Sequence, residues 1–539
     1  MTTPAWVRWA MPSVTDMIFV GLLGAIVFTP LAVRLLGDAG IGWHIRTGQQ
    51  ILATHAVPRV DPFSSAMSGK PWFAWEWLYD VVVGELGATL GLNGVVWLTA
   101  IVIAAVFAGM FRWLMRRGVN ICVGVGMVLL ALGASMIHFL ARPHVVSWLF
   151  TLIWLWILDA AERVATSGHD LRDHGVRERR RIRLWVLPLL MLIWVNVHGG
   201  FLVGFILLGI FWMGAIWEWY SANDGQIEQA LQKIAAGKLA GDLGWVGLAS
   251  LAASFVNPYG WKLHAHIYSY LSNRFLMDHI QEFQSPNFHG VAQKCFALLV
   301  MIALAVLAAR GRELRVSGVL TVLFAVYAGL YASRNIPVSS LLLVIVIAPV
   351  IGSDRMRSRA FGTAAMERLG FFQRMQRTEL RMRGHLWPVA AMVVTFGIAA
   401  NGGRVGSSTL MDAHIDPKRM PVEAVNYLAQ HEVRGPILSP DYWGGYLIYR
   451  LSPERKVVVD DRHDFYGEQF LKSYLKMWHV ERGWRDFLDE HEASCVLLPR
   501  DSALANVLLE TRDWKAIYSD EVAVSFVRDP SEGKENRPR

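Results

Sequence analysis

Residues 36–80 read LGDAGIGWHIRTGQQILATHAVPRVDPFSSAMSGKPWFAWEWLYD and follow the first long apolar run of the chain, residues 17–36. The next apolar run begins at residue 95, so this stretch is predicted to be a loop between two membrane spans. The loop is rich in acidic, basic and tryptophan side chains, which a simple tether does not need. Carboxylates and cations packed among aromatic rings beside a bilayer are suited to holding a phosphate and a sugar ring. The sequence therefore predicts that this loop carries a functional site.

The composition of the chain indicates a membrane protein. Of its 539 residues, 54% are hydrophobic and only 18% are charged, and the mean hydropathy is +0.33. Repeated apolar runs of about 20 residues predict a polytopic α-helical membrane protein. The net charge is +8, but the basic residues lie in short loops between the apolar runs, as is typical of cytoplasmic loops. Membrane lipids with anionic head groups are the expected partner, and nucleic acid is not expected.

The order of the apolar runs predicts the topology. Alternating them across a bilayer gives about eleven spans, with the N-terminus and every arginine-rich loop in the cytoplasm. Residues 1–403 form the predicted transmembrane domain, with long outer loops at residues 37–80 and 257–294. Run 17–36 is interpreted as a retained signal anchor, because no small-residue cleavage site follows it. Several runs are short, which leaves open that one pair is re-entrant. The expected location is the prokaryotic plasma (inner) membrane.

Residues 404–530 differ in character from the rest of the chain. Their apolar runs shorten to strand length, at residues 436–438, 456–459, 495–498 and 522–527, and alternate with helix-like stretches. This alternation predicts a compact α/β domain, which the topology puts on the periplasmic or extracellular side. The polar tail, residues 531–539, is predicted to be disordered. The three cysteines are too few to suggest a disulfide framework.

Two parts of the first loop resemble known membrane enzymes. DAGIGWHIRTG, residues 38–48, resembles the acidic motif and following aromatic and arginine segment of oligosaccharyltransferase catalytic subunits. VPRVDPFSSAMSGKPWFAWEWL, residues 57–78, resembles a loop of the protein mannosyltransferases and aminoarabinose transferases. The sequence Trp75-Glu76-Trp77 stands where those proteins have Asp-Lys-Pro-Pro, so a phosphate-contacting lysine is missing at that place.

A third resemblance lies in the C-terminal domain. SPDYWGGYL, residues 439–447, and the following VVVDDR, residues 457–462, resemble the acceptor-binding segment of oligosaccharyltransferases with its residues in a different order. Together the three parts resemble the GT-C superfamily. The resemblance implies many spans followed by an outer α/β domain, and transfer of a sugar from a polyprenyl-phosphate carrier with inversion at the anomeric carbon.

The resemblance places a catalytic carboxylate at Asp38, where the first apolar run ends. Glycosyl transfer needs a base, and a carboxylate beside a low-dielectric wall has its pKa raised toward a useful range. The alternative is that Asp38 only caps a helix that starts near Gly40, since aspartate is a favoured N-cap. Glu76, between two tryptophans, is the second predicted catalytic carboxylate.

Metal binding stays open at this stage. Glu76 and Asp61 offer oxygen ligands for a divalent cation, Mg²⁺ or Mn²⁺, on the sugar phosphate. Some members of the superfamily use a metal and others do not. The alternative for Asp61 is a turn residue before Pro62.

Cationic and imidazole side chains are predicted to contact the donor. A departing polyprenyl phosphate is an anion, and an arginine side chain offers a two-pronged donor suited to it. His44 and Arg46 follow the acidic motif, and Arg142, His198 and Arg334 lie at the outer ends of other apolar runs. The alternative is that each arginine only reaches from a span end toward water.

Asp441, Tyr442 and Trp443 are the predicted acceptor contacts, because aromatic rings stack on sugar faces and aspartates bind hydroxyls. A turn network that stabilises the domain is an equal alternative. The sequence thus predicts a membrane glycosyltransferase that uses a lipid-linked sugar donor and an acceptor that is a glycan, lipid or protein. The competing hypothesis is a lipid-linked sugar transporter or an envelope-assembly scaffold.

Overall fold

The structure is a computed structural model, and it describes residues 4–167, 174–222, 227–352, 363–382, 384–431, 433 and 435–529. The predicted disordered tail, residues 531–539, lies outside this range. The helices described before residue 403 are, in chain order, α1 (Ala5–Ala10), α2 (Val14–Val27), α3 (Leu31–Leu35), α4 (Gly40–Thr54), α5 (Trp77–Thr89), α6 (Gly91–Arg116), α7 (Ile121–Ser135), α8 (His144–Thr166), α9 (His174–Leu184), α10 (Val186–Trp194), α11 (Leu202–Ser221), α12 (Ile227–Ser254), α13 (Trp261–Ser272), α14 (Arg274–His279), α15 (Val291–Arg310), α16 (Val316–Tyr331), α17 (Ile336–Ile351), α18 (Thr363–Arg381) and α19 (Leu386–Ala400).

The predicted multi-pass helical bundle is confirmed. Within the described residues, seven helical stretches are long and apolar enough to cross a membrane. They are Trp6–Val27, Gly91–Arg116, Ile121–His138, His144–Thr166, Gly199–Ser221, Val291–Glu313 and Ser333–Ile351. Helices α16 and α19 are apolar but shorter. The prediction of about eleven spans also counted residues 243–256, which overlap the end of α12, and α10, which has 9 residues and reaches only about 14 Å of a hydrocarbon core about 30 Å thick.

The first apolar run, residues 17–36, is not one continuous span. Helix α2 ends at Val27, and the short α3 follows after Pro30. Proline has no backbone N–H and its ring clashes with the preceding turn, so the helix cannot continue through it. The break turns the chain so that α4 begins only a few residues later.

Helix α6 lies at the centre of the bundle. It packs against α2, α7, α8 and α17. Ile103, Phe107 and Phe111, spaced four residues apart along one helix face, have no exposed surface. This packing holds the neighbouring helix ends in fixed positions around the site described below.

The C-terminal domain has the predicted α/β character. Its helices are α20 (Val422–Gln430), α21 (Asp441–Leu451), α22 (His463–Trp478), α23 (Trp484–Glu490) and α24 (Ala503–Leu509). Its strands are β1 (Arg404–Val405), β2 (Ser408–Thr409), β3 (Ile437–Leu438), β4 (Cys495–Pro499), β5 (Trp514–Ser519) and β6 (Ala523–Arg528). A four-stranded sheet has the order β3-β4-β6-β5, with β3 parallel to β4 and the other pairs antiparallel.

The first loop packs between the bundle and the C-terminal domain. Val457 forms parallel bridges to both Ile437 and Ser64, so the loop extends the edge of the sheet. Helix α4 contacts α5 on one side and α21 on the other. Both contacts need glycine, because a Cβ atom at Gly48 would overlap the carbonyl oxygen of Asp80, and one at Gly42 would overlap that of Gly445.

Candidate active site

A cavity of about 480 Å³ lies where the first loop, the second loop (residues 257–294), the ends of the bundle helices and the C-terminal domain meet. Part of its wall is apolar and comes from Trp148, Leu202, Val203, Ile267, Leu271 and Val338. The opposite part carries charged and imidazole side chains. The cavity therefore offers an apolar surface and a polar surface to the same ligand.

Arg142 joins two carboxylates at the polar end of this cavity. It lies in the turn before α8, and its Nη2 is 2.8 Å from Asp38 Oδ1 and 2.5 Å from Asp461 Oδ2. Asp38 Oδ1 also accepts a hydrogen bond from the Gly40 N–H at 2.8 Å, although the N-cap residue of α4 is Ala39 and not Asp38. Trp43 Nε1 donates to the second oxygen of Asp461 at 3.0 Å. Three distant segments of the chain thus meet at one guanidinium.

Of the two carboxylates, Asp461 lines the cavity, whereas Asp38 does not and contacts the cavity-lining Arg142. Burial raises the pKa of Asp461 to about 7, although the neighbouring Arg142 acts in the opposite direction. A carboxylate with such a pKa changes its protonation state near neutral pH, as a general base should.

Glu76 lies at the start of α5 among imidazole and carboxyl groups. His44 Nδ1 is 2.6 Å from Asp80 Oδ1, and His44 Nε2 is 3.7 Å from Glu76 Oε2. His198 Nε2 is 3.8 Å from the other Glu76 oxygen, and its Nδ1 is 2.8 Å from Ser147 Oγ. Burial raises the pKa of Glu76 to about 8 and lowers the pKa of His198 to about 3. At neutral pH Glu76 therefore carries a proton and His198 is uncharged.

Arg334 supplies a second guanidinium to the cavity. Its Nη1 is 3.6 Å from Glu282 Oε1, and its guanidinium lies 4.5 Å from the centre of the Phe283 ring. Burial opposes ionisation of Glu282, but Arg334 and Arg142 together lower its pKa to about 2. Glu282 is therefore a permanent anion that fixes Arg334 at the cavity wall.

Five predicted site residues line the cavity, and Asp38 contacts it through Arg142. The five are His44, Glu76, Arg142, His198 and Arg334.

The other predicted site residues lie elsewhere. Arg46 donates from Nε to the Tyr449 carbonyl at 2.8 Å and lines a different surface depression. Asp61 is buried and accepts hydrogen bonds from Ser64 N, Ser64 Oγ and Arg462 Nη1 at 2.6–2.8 Å. These contacts use its oxygens, so the structure favours a structural role over ligand binding for Asp61.

The predicted acceptor contacts also lie outside the cavity wall. Trp443 is buried in the C-terminal domain, with Nε1 donating to the Arg419 carbonyl at 3.1 Å. Tyr442 is half exposed next to it. Asp441 reaches the cavity only through His463, whose Nε2 is 2.6 Å from Asp441 Oδ2 and which does line the wall.

Asp461 was missing from the predicted site, although the acidic run that contains it was recognised. Asp460 and Asp461 follow a strand-like segment, and adjacent residues of an extended chain point to opposite sides. Asp460 accordingly pairs with Arg462 at 2.6 Å inside the domain, whereas Asp461 faces the cavity. This alternation is the sequence pattern that indicates Asp461, and not Asp460, as the residue that faces the cavity. Glu282 had no such signal, because nothing in the second loop marks it.

A divalent cation does not fit the donor set that this chain presents. Among the described residues, no group of three or more histidine, cysteine, aspartate or glutamate side chains converges on one point. Asp38 and Asp461, at the polar end of the cavity, have the Arg142 guanidinium between them. A second cation there would be repelled by it.

Comparison with solved structures identifies the fold. The archaeal oligosaccharyltransferase AglB from Archaeoglobus fulgidus, in complex with an inhibitory peptide and a dolichol-phosphate, is similar with a TM-score of 0.53 and 11% identity over 97% of this chain and 74% of that one. The same enzyme tethered to an acceptor peptide containing the NVT sequon gives a TM-score of 0.52 and 12% identity over 96% and 73% of the two chains. ArnT from Cupriavidus metallidurans bound to undecaprenyl phosphate gives 0.46 and 13% identity over 96% and 98%. No protein-family model and no curated protein sequence matches this chain. The chain has the GT-C fold.

Proposed function

We propose that this protein is an integral membrane glycosyltransferase that moves a sugar from a polyprenyl-phosphate-linked donor to an acceptor on the outer face of the membrane. The observation that carries the proposal is the cavity that combines an apolar wall with a guanidinium held between two carboxylates. A lipid phosphate has an apolar chain and an anionic head, and both find a matching surface there. The AglB neighbour, which has the same fold, was solved with a dolichol-phosphate.

The donor phosphate is proposed to bind between Arg142 and Arg334. Both guanidiniums line the cavity, and arginine binds phosphate oxygens with two parallel N–H groups. Their carboxylate partners hold the two side chains in place before the substrate arrives. Fixed cations of this kind stabilise the charge that grows on a leaving phosphate, because they need no reorganisation during the reaction.

In the proposed reaction an acceptor hydroxyl oxygen attacks the anomeric carbon of the donor sugar. The new bond joins this oxygen to the anomeric carbon, while the bond from that carbon to the phosphate oxygen breaks. The bonding pair leaves with the polyprenyl phosphate, and the acceptor proton goes to the Asp461 carboxylate. Asp461 is proposed as the base because it lines the cavity and its pKa lies near 7. Asp38, predicted as the base, is then the residue that positions Arg142.

Glu76 is proposed to act as a neutral acid that donates a hydrogen bond to the donor sugar. Its raised pKa keeps it protonated below about pH 8, so it brings no extra negative charge next to the phosphate. His44, held by Asp80 at 2.6 Å, and His198 fix the position of its carboxyl group.

The acceptor side of the cavity belongs to the C-terminal domain. Two imidazole–carboxylate pairs include residues of this domain: His463 lies 2.6 Å from Asp441, and Asp464 lies 3.0 Å from His266 of the second loop. Such pairs suit an acceptor with several hydroxyl groups, because imidazole and carboxylate groups together both donate and accept hydrogen bonds. Recognition of a sequon peptide, as in the tethered AglB structure, is not part of the proposal, since Trp443 of the resembling segment is buried.

The assignment to the outer face rests on the distribution of arginines. Helix α8 begins beside the cavity at His144 and ends at Thr166, near several paired arginines at the other end of the bundle. These pairs are Arg112–Glu379, Arg117–Asp159, Arg163–Asp159, Arg180–Asp242 and Arg315–Glu162. Basic residues favour the cytoplasmic side, so the cavity would face outward.

Sugar transfer in proteoliposomes tests the function directly. Purified protein would be supplied with a panel of radiolabelled polyprenyl-phosphate sugars and candidate acceptors, with Asp461→Asn as the test variant and Asp513→Asn as its control. Asp513 is an aspartate of the same domain that contacts Arg485 and does not line the cavity. We expect transfer by the wild type and by Asp513→Asn, and a loss in Asp461→Asn. Saturable donor binding without transfer would instead support a carrier of lipid-linked sugars.

A further inference from the structure

The terminal nitrogen Nη2 of Arg142, which carries two N–H donors, bridges two carboxylates that come from opposite ends of the chain. Nη2 lies 2.8 Å from Asp38 Oδ1 and 2.5 Å from Asp461 Oδ2. Two carboxylate oxygens facing one point beside a phosphate site are the kind of ligand that hard divalent cations bind. In this protein that point holds a guanidinium.

The neighbouring contacts are consistent with a fixed organic cation. Gly40 N–H donates to the same Asp38 oxygen at 2.8 Å, and Trp43 Nε1 donates to the other Asp461 oxygen at 3.0 Å. These donors orient both carboxylates toward Arg142. The guanidinium keeps its charge at all physiological pH values, so the site has a permanent cation.

Arg142 also has a hydrogen-bond donor that its two carboxylate partners do not use. Its Nε is buried and has no hydrogen-bond partner among the described residues. A buried donor without a partner costs free energy, so an acceptor is expected at this place when the site is occupied. A phosphate oxygen is a suitable acceptor, and Arg334 supplies a second guanidinium to the same cavity.

We infer that Arg142 takes the place of a divalent cation in this site, so that the lipid phosphate binds without a metal ion. The inference rests on the proposed function and deepens it, because it specifies how the donor phosphate is recognised. It also explains why Asp461, a carboxylate of the cavity wall, is paired with an arginine.

Binding of undecaprenyl phosphate to the purified protein in nanodiscs tests this inference. The dissociation constant would be measured with excess EDTA and again with added Mn²⁺. We expect the two wild-type values to agree within about twofold, a difference of about 0.4 kcal/mol. Binding that disappears in EDTA and returns with Mn²⁺ would overturn the inference.

Arg142→Ala gives a second measurement. Loss of charged hydrogen bonds to phosphate should weaken binding in EDTA by about tenfold or more. Added Mn²⁺ should restore part of it, because Asp38 and Asp461 are then free to coordinate a cation. Arg117→Ala is the matched control, since Arg117 pairs with Asp159 at 2.7 Å with nearly the same side-chain exposure, 24% against 22%, at the other end of the bundle. Its binding should equal that of the wild type.

The outcomes separate this inference from the proposed function. Metal-independent binding of the lipid phosphate without sugar transfer would support the inference and contradict the proposed glycosyltransferase function. Sugar transfer that requires Mn²⁺ would overturn the inference and support the proposed glycosyltransferase. If Arg142→Ala does not fold, the wild-type comparison in EDTA and Mn²⁺ decides alone.

Discussion

At the scale of single residues, the proposed reaction depends on the protonation state of Asp461. Because burial raises the pKa of this carboxyl to about 7, the fraction that can accept a proton falls about tenfold per pH unit below that value. The wild-type transfer rate should therefore rise with pH up to about 7 and then level off. It should fall again above about 8, where Glu76 loses its proton.

Asp461→Asn should lower the rate by about 10²–10⁴-fold and abolish the rise near neutral pH. The measurement is a pH–rate profile of single-turnover transfer for both proteins. A profile in Asp461→Asn that still rises through the same pH range would show that a group other than Asp461 accepts the proton.

Glu76 links protonation to stability. Its pKa is about 8 in the folded protein and near its usual 4.5 when unfolded, so folding above pH 4.5 requires uptake of a proton. The wild type should therefore lose stability as pH rises from about 4.5 to about 8, by about 1.4 kcal/mol per pH unit at most. Glu76→Gln stays neutral and lacks this cost. Thermal unfolding in detergent should show the variant melting above the wild type at pH 8, with the difference vanishing near pH 4.5. Equal melting curves at both pH values would contradict the raised pKa.

At the scale of secondary-structure elements, Arg462 connects the first loop to the C-terminal domain. It is buried, pairs with Asp61 at 2.8 Å and with Asp460 at 2.6 Å, and its guanidinium lies 4.6 Å from the centre of the Trp72 ring. A buried cation between two buried anions leaves uncompensated charge when it is removed. The contact therefore holds the first loop against the C-terminal domain.

Arg462→Ala should destabilise the protein by about 3–5 kcal/mol and expose the first loop to protease. Lys472→Ala is the control, because Lys472 forms an exposed pair with Glu468 at 2.5 Å whose loss should leave the stability nearly unchanged. Thermal unfolding and limited proteolysis measure both effects. Similar behaviour of the two variants would show that the buried network does not hold the loop.

The elements that could be predicted are those whose sequence has a clear local pattern. Most of the long apolar runs match described helices, and the strand-length runs 436–438, 495–498 and 522–527 match β3, β4 and β6, whereas run 456–459 contains only the isolated bridge residue Val457. Helix α21 was missed, because Gly444 and Gly445 lower helix propensity and the segment was interpreted as a turn or a binding motif. Close packing requires these glycines, since a Cβ atom at Gly445 would overlap the Ala39 carbonyl oxygen.

The part of the candidate site that could be predicted is the part that follows from the membrane topology. The predicted topology puts Arg142, His198 and Arg334 at the ends of apolar runs on one membrane face, and all three line the cavity. Arg46 and Asp61 belong to the first loop, and the direction of a loop side chain depends on tertiary contacts that no local periodicity records. The pairing of Arg142 with Asp461 likewise spans 319 residues of sequence.

At the scale of the whole molecule, the two ends of the bundle differ in charge and in partners. The N-terminal end of α2 lies at the arginine-rich end, because Val14 N donates to Glu379 at 2.7 Å and Asp16 pairs with His385 at 2.8 Å. Helix α19 leads from this end to the C-terminal domain beside the cavity. The proposed function therefore requires that the N-terminal end of α2 faces the cytoplasm and that the C-terminal domain lies on the outer side of the membrane.

Two cysteine positions test this orientation in intact spheroplasts with a membrane-impermeant maleimide. Cys122 is exposed at the start of α7, at the arginine-rich end, and Tyr442→Cys would add a thiol at a position that is 49% exposed on the C-terminal domain. The impermeant reagent should label Tyr442→Cys in spheroplasts and reach Cys122 only after lysis. Cys122→Ser controls for background labelling, and Cys495, which is buried, should stay unlabelled in the folded protein. Labelling of Cys122 from the outside would reverse the orientation and place the cavity in the cytoplasm. The donor would then have to be supplied on the cytoplasmic side, and the proposed outer-face reaction would fail while the cavity chemistry remained.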